Sequence, residues 1–388
     1  MIYDIVIVGG GASGLICAIN AKNDNNKILI LEKNNELGKK IKITGNGRCN
    51  YYNEYQDITC YNSFNSDILN DVFKQITDLK INDYFDSLGI IPLIKDGYYY
   101  PYSNKAITIR DTLNSEIINK GIEVKYDYIV SNINKIDDFF IINNEIKAKY
   151  VVLATGGITY PITGSTGDGY NILKDLNHEI IPLKPVLGKL YVDDPLFKKL
   201  KGIRAHAKVS INNKSDEGEL QINEDSISGI CVFNISRFAD VNDTISINFI
   251  PFTKDPYNYI NTRINNLNTS ISDVLSRIFN KTLVDVILNK AKINSSKDKL
   301  NESELNTLID LLTNYKVNVI GLSKLEEAQV TAGGVNLKDI NIDNYESKII
   351  PNLFVVGELL DLDGICGGYN LSIAWNSGIR AGKYLSNK

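Results

Sequence analysis

The sequence is poor in the residues that build disulfide frameworks and metal sites. Its 388 residues include five cysteines, none of them in a CxxC pair, and two histidines, His178 and His206. Scattered cysteines in odd number argue against a disulfide framework, a zinc site and a dithiol redox centre. We therefore predict no metal site, and any acid–base histidine must be one of these two residues.

Long apolar runs and blocks of basic residues are also absent. No uninterrupted apolar stretch reaches the ~18 residues of a membrane-spanning helix, and the first predicted strand starts at Ile2, which leaves no room for a signal peptide. The net charge of −4 gives no support for nucleic-acid binding. We expect a cytoplasmic protein that acts on a small molecule and binds neither nucleic acid nor membrane. The sequence leaves the oligomeric state open.

The amino-terminal stretch has the pattern of a dinucleotide site. A predicted strand over residues 2–8 runs into a glycine-rich turn, an apolar helix follows, and a second strand over 27–31 ends at Glu32. Glycines in such a turn let the backbone approach a pyrophosphate at the helix N-terminus, and the acidic residue accepts hydrogen bonds from a ribose. We therefore predict an adenine dinucleotide here. The residues of the turn are Gly9, Gly11, Ala12, Ser13 and Gly14.

A second loop, residues 38–50, is rich in glycine and in cations. Its spacing allows backbone N–H groups, Lys40 and Arg48 to converge on an anion or on an electron-rich ring. The alternative is a solvated basic loop without a ligand.

Two apolar strands later in the chain also end in glycine-containing turns. The first, over 150–155, precedes a glycine loop at 159–170 and a helix, which leaves an independent phosphate site open as an alternative. The second, over 352–358, ends at Glu358 and leads to a closing helix at 371–385. Such a turn can bind a ribityl or phosphate hydroxyl; the alternative is an ordinary connection between a strand and a helix.

The remaining segments predict the domain organisation. Apolar periodicity indicates one helix over 66–88 and another over 103–120, followed by short strands typical of a small antiparallel layer at 122–126, 129–136, 139–143 and 146–155. Residues 186–250 predict strands, and residues 256–312 predict amphipathic helices. The predicted domains are 1–185 with 327–388, a β-rich insert at 186–255 with 313–326, and a helical insert at 256–312.

Two motifs, GNGRCN (45–50) and GELLDLDGICGGYN (357–370), carry a resemblance to a known family. Together with GGGASGL (9–15), LATGGITYPITGSTGDGY (153–170) and AQVTAGGV (328–335), they resemble the bacterial FAD-dependent oxidoreductases of the aminoacetone oxidase type. They also resemble the flavoprotein reductase of bile-acid dehydroxylation. The resemblance implies an α/β fold: a Rossmann-like FAD-binding domain of the two-dinucleotide-binding flavoprotein type, with inserted β-barrel and small helical subdomains.

The same resemblance implies non-covalent FAD and assigns residues to it. Gly9, Gly11 and Gly14 would hold the pyrophosphate, Glu32 the adenosine ribose, and the backbone of Val130 the adenine. The residues implied along the flavin are Lys40, Gly45, Gly47, Arg48, Gly357, Glu358, Asn370 and Leu371. Lys33, Ala154, Thr155 and Gly156 complete the predicted cofactor-binding set.

Three functions are consistent with this cofactor. The first is an oxidoreductase that transfers hydride between a small organic substrate and flavin N5, with NAD(P)H as a candidate transient co-substrate. The second is an amine-type oxidase that passes electrons to oxygen, and the third is a non-catalytic flavin-binding redox sensor. Only one complete dinucleotide fingerprint is present, so a nicotinamide would dock without a Rossmann module of its own.

No catalytic residue is assigned from the sequence, but four side chains are candidates. Arg48 is placed to stabilise negative charge on a reduced flavin. Cys49 follows it, and a neighbouring cation lowers the pKa of a thiol, although a packed residue is the preferred interpretation. Tyr160 and Tyr369 are candidates for lining the substrate pocket or donating a proton if they face the flavin.

Overall fold

The computed structural model describes residues 2–388. Its β-strands, in chain order, are β1 (Ile2–Val8), β2 (Ile28–Leu31), β3 (Tyr52–Asn53), β4 (Tyr61–Asn62), β5 (Pro92–Lys95), β6 (Tyr98–Pro101), β7 (Glu123–Lys125), β8 (Ile133–Ile136), β9 (Phe139–Ile142), β10 (Ile146–Leu153), β11 (Ile180–Val186), β12 (Leu190–Asp193), β13 (Arg204–Ile211), β14 (Lys214–Ile222), β15 (Ser226–Ser228), β16 (Thr244–Asn248), β17 (Tyr315–Gly321), β18 (Val330–Val335), β19 (Ile340–Asn341), β20 (Glu346–Ser347), β21 (Leu353–Val355) and β22 (Asp363–Gly364). Its α-helices are α1 (Ala12–Ala21), α2 (Thr44–Gly47), α3 (Ser66–Asp78), α4 (Ile81–Ser87), α5 (Ala106–Asn119), α6 (Asp168–Asp175), α7 (Phe197–Leu200), α8 (Ile230–Ile235), α9 (Pro256–Asn266), α10 (Ile271–Ser276), α11 (Lys281–Lys290), α12 (Glu302–Thr313) and α13 (Tyr369–Leu385).

The chain forms two compact units. The first comprises the chain up to Pro185 together with Gln329–Lys388, and the second is Val186–Ala328. The chain therefore returns to the first unit at residue 329, where the sequence placed the return at 327. The β-barrel and the helices α9–α12 lie in the same unit, whereas the sequence divided them into two inserts.

The first unit is built on a nine-stranded sheet whose main order is β19-β20-β21-β10-β1-β2-β7. The central strands β21, β10, β1, β2 and β7 run parallel. β1 and β2 read as near-continuous apolar runs because both faces of a parallel sheet are covered, and Ile5–Val8 and Ile28–Leu31 are buried accordingly. The predicted Rossmann-like α/β fold is confirmed.

Part of the predicted antiparallel meander is wrong. β7 extends the parallel sheet beyond β2, with Ile30 opposite Val124, and only β8 and β9 form the antiparallel arm next to β10. The predicted strand at 129–136 begins only at Ile133. The Asn143 side chain accepts hydrogen bonds from the N–H groups of Ser131 and Asn132 and donates to the carbonyl of Ile129, so these backbone groups have no need of a strand partner. Val130 therefore lies in irregular backbone rather than in a strand.

The predicted helix over 66–88 is two helices, α3 and α4. Val72 and Ile76 are buried on α3, and Ile81 and Phe85 on α4. The step from Ile76 to Ile81 is five residues, which a continuous helix would rotate off the apolar stripe. A break at Leu79 and Lys80 lets both helices face the core.

The closing helix α13 packs closely on α1. A Cβ at Gly378 would lie 2.5 Å from the carbonyl oxygen of Ser13, and one at Gly382 would lie 2.6 Å from that of Cys17. Only glycine permits this approach of two helix backbones. The contact ties the carboxyl-terminal segment to the helix that follows the amino-terminal glycine turn.

The second unit contains a closed barrel of strand order β12-β15-β14-β13-β16-β17. Val209, Ile247 and Val317 are buried in its core, and Ile260 and Leu308 of the neighbouring helices belong to the same apolar cluster. The α12 helix begins with a capping box in which Asn301 and Glu304 bond each other's backbone. The predicted β-barrel and helical subdomains are therefore present.

Candidate cofactor site

Four parallel strands of the first unit end at one edge of the sheet. β1 leads into Gly9, β2 into Glu32, β10 into the stretch before Thr155, and β21 into the stretch before Gly357. Ligands of open α/β sheets bind outside the carboxyl ends of the strands. The site is therefore expected at this edge.

The three glycines of the amino-terminal turn are required for different reasons. Gly9 has φ +104°, and a Cβ there would lie 2.5 Å from the carbonyl oxygen of Ala154. A Cβ at Gly14 would lie 2.0 Å from the carbonyl oxygen of Gly9, so the fold itself demands both glycines. Gly11 has an ordinary φ of −82°, and a Cβ there would meet no atom within 4 Å. The space beside Gly11 is open, as a ligand that approaches the backbone requires.

The start of α1 presents free donors to this space. No side chain caps the helix, and its first turn, which contains Ala12 and Ser13, has no acidic residue. The first N–H groups of a helix have no acceptor within the helix and form its positive end. Ser13 also borders the end of β21, because a Cβ at Gly357 would lie 2.4 Å from its hydroxyl oxygen.

Glu32 is buried at the end of β2 and is held by the backbone. Its Oε2 accepts from the N–H of Gly10 at 2.8 Å, and its Oε1 accepts from the N–H and the side-chain amide of Asn34 at 2.8 and 2.7 Å. A carboxylate offers about four acceptor positions. About one position therefore remains for a ligand hydroxyl.

Lys33 is engaged at a different helix. Its ammonium lies 2.6 Å from the Asp168 carboxylate and also donates to Thr166. Asp168 stands in the first turn of α6, so this helix start already has an anionic side chain. The alternative of an independent phosphate site at the 159–170 loop is therefore not supported.

Glu358 joins several segments at the carboxyl edge of the sheet. Its Oε1 accepts from the N–H of Thr331 at 2.9 Å and from the Thr159 hydroxyl at 3.3 Å, and its Oε2 lies 3.2 Å from Lys40 Nζ. The Tyr170 hydroxyl donates to the Glu358 backbone carbonyl at 2.9 Å. Burial, and then the charge of Glu358, raise the pKa of Tyr170, so its hydroxyl stays protonated.

The end of β10 contributes an unpaired hydroxyl. Ala154 is buried behind Gly9, Gly156 turns with φ +74°, and the Oγ1 atom of Thr155 between them is buried without a hydrogen-bond partner. A buried polar atom without a partner is costly in a protein interior. This atom lies against α6, since a Cβ at Gly169 would be 2.2 Å from it.

The start of α13 and the 44–50 loop lie against each other. Gly368 precedes the helix with φ +95°, no side chain caps the helix, and a Cβ at Gly368 would lie 3.1 Å from the buried, unpartnered Oδ1 of Asn50. Asn370 clamps the preceding turn, since it accepts from the N–H of Gly364 and donates to its carbonyl. Leu371 follows, partly buried. The uncapped start of α13 thus lies against the predicted flavin-binding loop.

These features fit an extended dinucleotide. An open space at Gly11 beside free N–H groups suits a pyrophosphate, and the acceptors of Glu32 and Asn50 suit polar groups along it. A sequence profile described as the HI0933-like protein Rossmann domain matches residues 3–384. The chain belongs to this family.

Full-length relatives of this HI0933-like chain have named activities. It is 32% identical over 405 residues to the 3-dehydro-bile acid delta(4,6)-reductase of Clostridium scindens, with 99% of each chain covered. It is 27% identical over 384 residues to the ribosomal RNA dihydrouridine synthase of Escherichia coli, with 97% of this chain and 96% of that protein covered. The predicted resemblance and the predicted enzyme class, an FAD-dependent oxidoreductase, are confirmed.

A solved structure shares the fold. The 3-ketosteroid-delta4-(5alpha)-dehydrogenase of Rhodococcus jostii RHA1, in complex with 4-androstene-3,17-dione, matches all of this chain and 97% of its own at a TM-score of 0.54 and 15% identity. This likeness concerns the fold alone.

Cys49 is not a reactive thiol in this structure. The residue is fully buried with φ +58°, and burial raises the pKa of its thiol to about 12. Arg48, which was expected to lower this pKa, extends instead over the ring of Tyr100 at 5.2 Å. The hypothesis of an activated Cys49 is therefore wrong, and the packed interpretation is correct.

The 44–50 loop owes its shape to left-handed residues. Gly45, Asn46 and Gly47 all have positive φ and are exposed, and Cys49 anchors the end of the loop. Non-glycine residues rarely adopt such angles, and they cluster at ligand-binding segments. The placement of Gly45 and Gly47 beside the flavin stays a prediction.

The two tyrosine candidates differ. Tyr369 is buried, its hydroxyl donates to the Tyr55 carbonyl at 3.0 Å, and its ring packs edge-on against Tyr61 at 5.5 Å. Burial raises the pKa of Tyr369, so its hydroxyl stays protonated, and its hydrogen bond to Tyr55 favours the packed interpretation. Tyr160 is partly buried, with φ +54°, and precedes the turn Pro161–Thr163. It remains a candidate for lining the substrate pocket or donating a proton.

The sequence analysis missed Thr159, Thr331 and Asn50. Thr331 carries the one side-chain hydroxyl of β18, whose residues are all buried. A single polar residue in a strand of apolar residues and glycines could have indicated a site residue in the sequence. Thr159 is fully buried and Asn50 follows Cys49 in the GNGRCN motif, but only the fold brings them to the site.

Other features lie away from this site. A surface cleft of about 560 Å³ lies at the amino ends of the strands, opposite the site, and is lined by Tyr3, Leu29, Glu123, Val124, Lys125, Glu145 and Ile146. Within residues 2–388, no three His, Cys, Asp or Glu side chains group as metal ligands would. In the same part of the chain, none of the helices has the length and apolar character needed to cross a bilayer.

Proposed function

We propose that this protein is a reductase that uses non-covalent FAD to add hydrogen across a carbon–carbon double bond conjugated to a ring carbonyl, with NAD(P)H as the reductant. The observation that carries the proposal is the full-length match to the bile acid reductase together with the open, uncapped helix start at Gly11. FAD, when bound, supplies the hydride chemistry, and the protein supplies binding, orientation and electrostatics.

The two named relatives support the same bond type. The name 3-dehydro-bile acid delta(4,6)-reductase describes double bonds conjugated to a 3-oxo group, and the name dihydrouridine synthase describes reduction of a uracil ring, whose double bond is conjugated to a carbonyl. We infer a small cyclic enone rather than RNA for this chain, because its net charge is −4 and phosphate binding requires basic surface.

Different residues of the site would bind different parts of the cofactor. In this proposal the N–H groups from Gly11 to Ser13 bind the pyrophosphate, and the remaining acceptor position of Glu32 takes a ribose hydroxyl. The backbone near Val130 is close to this end, since the N–H of Tyr128 donates to the carbonyl of Glu32 at 3.0 Å. These contacts hold the adenosine half.

The flavin half would be bound by Lys40, Glu358 and the start of α13. Lys40 and Glu358 form a mutually neutralised pair beside Thr159, and the free start of α13 at Asn370 can point N–H groups at a flavin carbonyl. The sequence contains one complete dinucleotide fingerprint, so NAD(P)H would dock without a Rossmann module of its own.

Anaerobic mixing tests the proposal. Loss of the flavin absorption band on addition of NADH or NADPH, followed by its return on addition of a steroidal 4,6-dien-3-one, is the expected result. Bleaching only by an amine, with peroxide on aeration, would support the oxidase instead. If uridine-containing ribosomal RNA, but no small enone, reoxidises the reduced flavin, the substrate is RNA. An absence of turnover with every donor would favour the sensor.

A further inference from the structure

A small antiparallel sheet places two tyrosines beside the loop of the GNGRCN motif. The order of this sheet is β3-β6-β5. Side chains alternate along a strand, so Tyr98 and Tyr100 of β6 share one face, while Tyr99 points to the other face and packs against Tyr52 at 5.2 Å. The face formed by Tyr98 and Tyr100 is called here the tyrosine face.

Arg48 lies on this face. Its guanidinium is 5.2 Å from the ring centre of Tyr100, and its Nε donates to the carbonyl of Gly45 at 3.3 Å. The side chain is exposed, and among residues 2–388 no carboxylate pairs with it. A guanidinium that is held on an aromatic ring but lacks an anionic partner is available to a ligand oxygen.

The other end of the tyrosine face touches the start of the closing helix. A Cβ at Gly367 would lie 3.0 Å from Cε1 of Tyr98 and 3.3 Å from Nδ2 of Asn53, which donates to the Gly367 carbonyl. The unpartnered Oδ1 of Asn50 is next to Gly368. The face therefore borders both segments that would carry the reacting end of the cofactor.

We propose that Tyr98, Tyr100 and Arg48 form the substrate subsite of this reductase: the tyrosine rings hold an apolar ring system, and the Arg48 guanidinium binds its carbonyl oxygen. The proposal rests on the proposed function. Apolar aromatic faces suit a cyclic hydrocarbon, and an unpaired cation suits an oxygen that gains negative charge. The same cation repels an amine, which favours the enone over the oxidase substrate.

The charge on that oxygen follows from the bond changes. A hydride, supplied by NAD(P)H in the net reaction, adds to the carbon β to the carbonyl, and the π electrons of the double bond move to the carbonyl oxygen. A proton from solvent then adds to the α carbon and restores the carbonyl. Arg48 is the catalytic residue in this account, and Tyr100 is a positioning residue that acts through Arg48.

Kinetics with a steroidal 4,6-dien-3-one as probe test the assignment. Arg48→Met, assayed with saturating FAD, is expected to lower kcat/KM for the probe at least about 10-fold, the scale of a lost hydrogen bond to a charged group, and to change the rate of flavin reduction by NAD(P)H much less. Tyr100→Leu is expected to raise KM by about 10-fold with little change in kcat. Tyr100→Phe, which keeps the ring under the guanidinium, should restore the wild-type KM.

The matched control is Tyr102→Leu, on the same segment but 69% exposed, which should leave KM unchanged. Thermal unfolding of both leucine variants shows whether Tyr100→Leu is folded. The inference is overturned if the folded, FAD-saturated Arg48→Met and Tyr100→Leu proteins keep wild-type KM and kcat, or if Arg48→Met lowers the rate of flavin reduction as much as it lowers kcat/KM for the probe.

A binding titration separates this inference from the function on which it rests. The probe should perturb the flavin absorption band of the wild type but not that of Tyr100→Leu. Binding of this kind without turnover would contradict the proposed function and support the subsite. Absence of any probe binding to the wild type would overturn the subsite.

Discussion

Substitution of Gly11 separates cofactor binding from folding. A Cβ at this position meets no atom within 4 Å, and the backbone has φ −82°, so the Cβ of alanine or valine fits the fold without a clash. A glycine-to-alanine change at such a position stabilises a protein by ~0.4–1 kcal/mol through the unfolded chain. This gain is offset because Gly11 is the N-cap of α1, where glycine is preferred to alanine. The cofactor-free Gly11→Ala protein should therefore have about the stability of the wild type.

The same side chain would occupy the space of the pyrophosphate. Hydrogen bonds to a charged group contribute ~1.5–3 kcal/mol each. If Gly11→Val moves the pyrophosphate away from two N–H groups, it costs about 3–6 kcal/mol, or roughly 10²–10⁴-fold in the Kd for FAD. Gly14→Ala is the contrasting variant, since its Cβ would lie 2.0 Å from the Gly9 carbonyl oxygen and should destabilise the protein with or without FAD.

Thermal unfolding with and without FAD measures both effects. A saturating ligand at 100 times its Kd stabilises a protein by about 2.7 kcal/mol. The wild type should show this gain, and Gly11→Val should lose it while it keeps the unfolding temperature of the cofactor-free protein. A folded Gly11→Val protein that binds FAD within about threefold of the wild-type Kd would refute the placement of the pyrophosphate at this turn.

Three further predictions concern individual side chains. Glu32→Gln should weaken FAD binding by ~1–3 kcal/mol and also destabilise the cofactor-free protein, because an amide nitrogen cannot accept from Gly10; unchanged FAD affinity in a titration would count against the ribose role. Cys49, whose thiol pKa burial raises to about 12, should resist iodoacetamide in the native protein up to about pH 9 and react only after denaturation, and mass spectrometry that finds it alkylated before unfolding would contradict its burial. Burial also lowers the pKa of His178, so the unfolded chain takes up the proton first and stability should fall as the pH drops below ~6.5, by at most ~1.4 kcal/mol per pH unit. His178→Gln, which keeps an acceptor for Ser347, should remove this pH dependence. The measurement is the decrease in the urea midpoint of unfolding when the pH is lowered from about 7.5. An equal decrease in the wild type and in His178→Gln would disprove the role of His178.

The parts of the fold that sequence pattern predicts are those set by local periodicity and glycine spacing. The strand, turn and helix at Gly9–Gly14 and the strand that ends at Glu32 follow directly from apolar runs and turn residues. The misassigned segments are those decided by tertiary partners. Asn143 replaces a strand partner for residues 129–132, and nothing in a one-dimensional pattern shows this.

The candidate site shows the same division. Residues inside motifs, such as Gly9 and Gly14, could be named from the sequence because the backbone requires glycine at these positions. Tyr98 and Tyr100 could not, because the closeness of Tyr100 to Arg48 and of Tyr98 to Gly367 depends on the pairing of β6 with β3. A tyrosine-rich strand in a chain with 22 tyrosines carries no signal of its own.

The absorption spectrum of the purified protein tests the central claim most directly. After incubation with FAD and removal of the excess, the protein should show the flavin band, and acid denaturation should release a single equivalent of FAD into solution. Addition of NADPH or NADH without air should bleach the band. A folded protein that stays colourless after this incubation would contradict the assignment of the site.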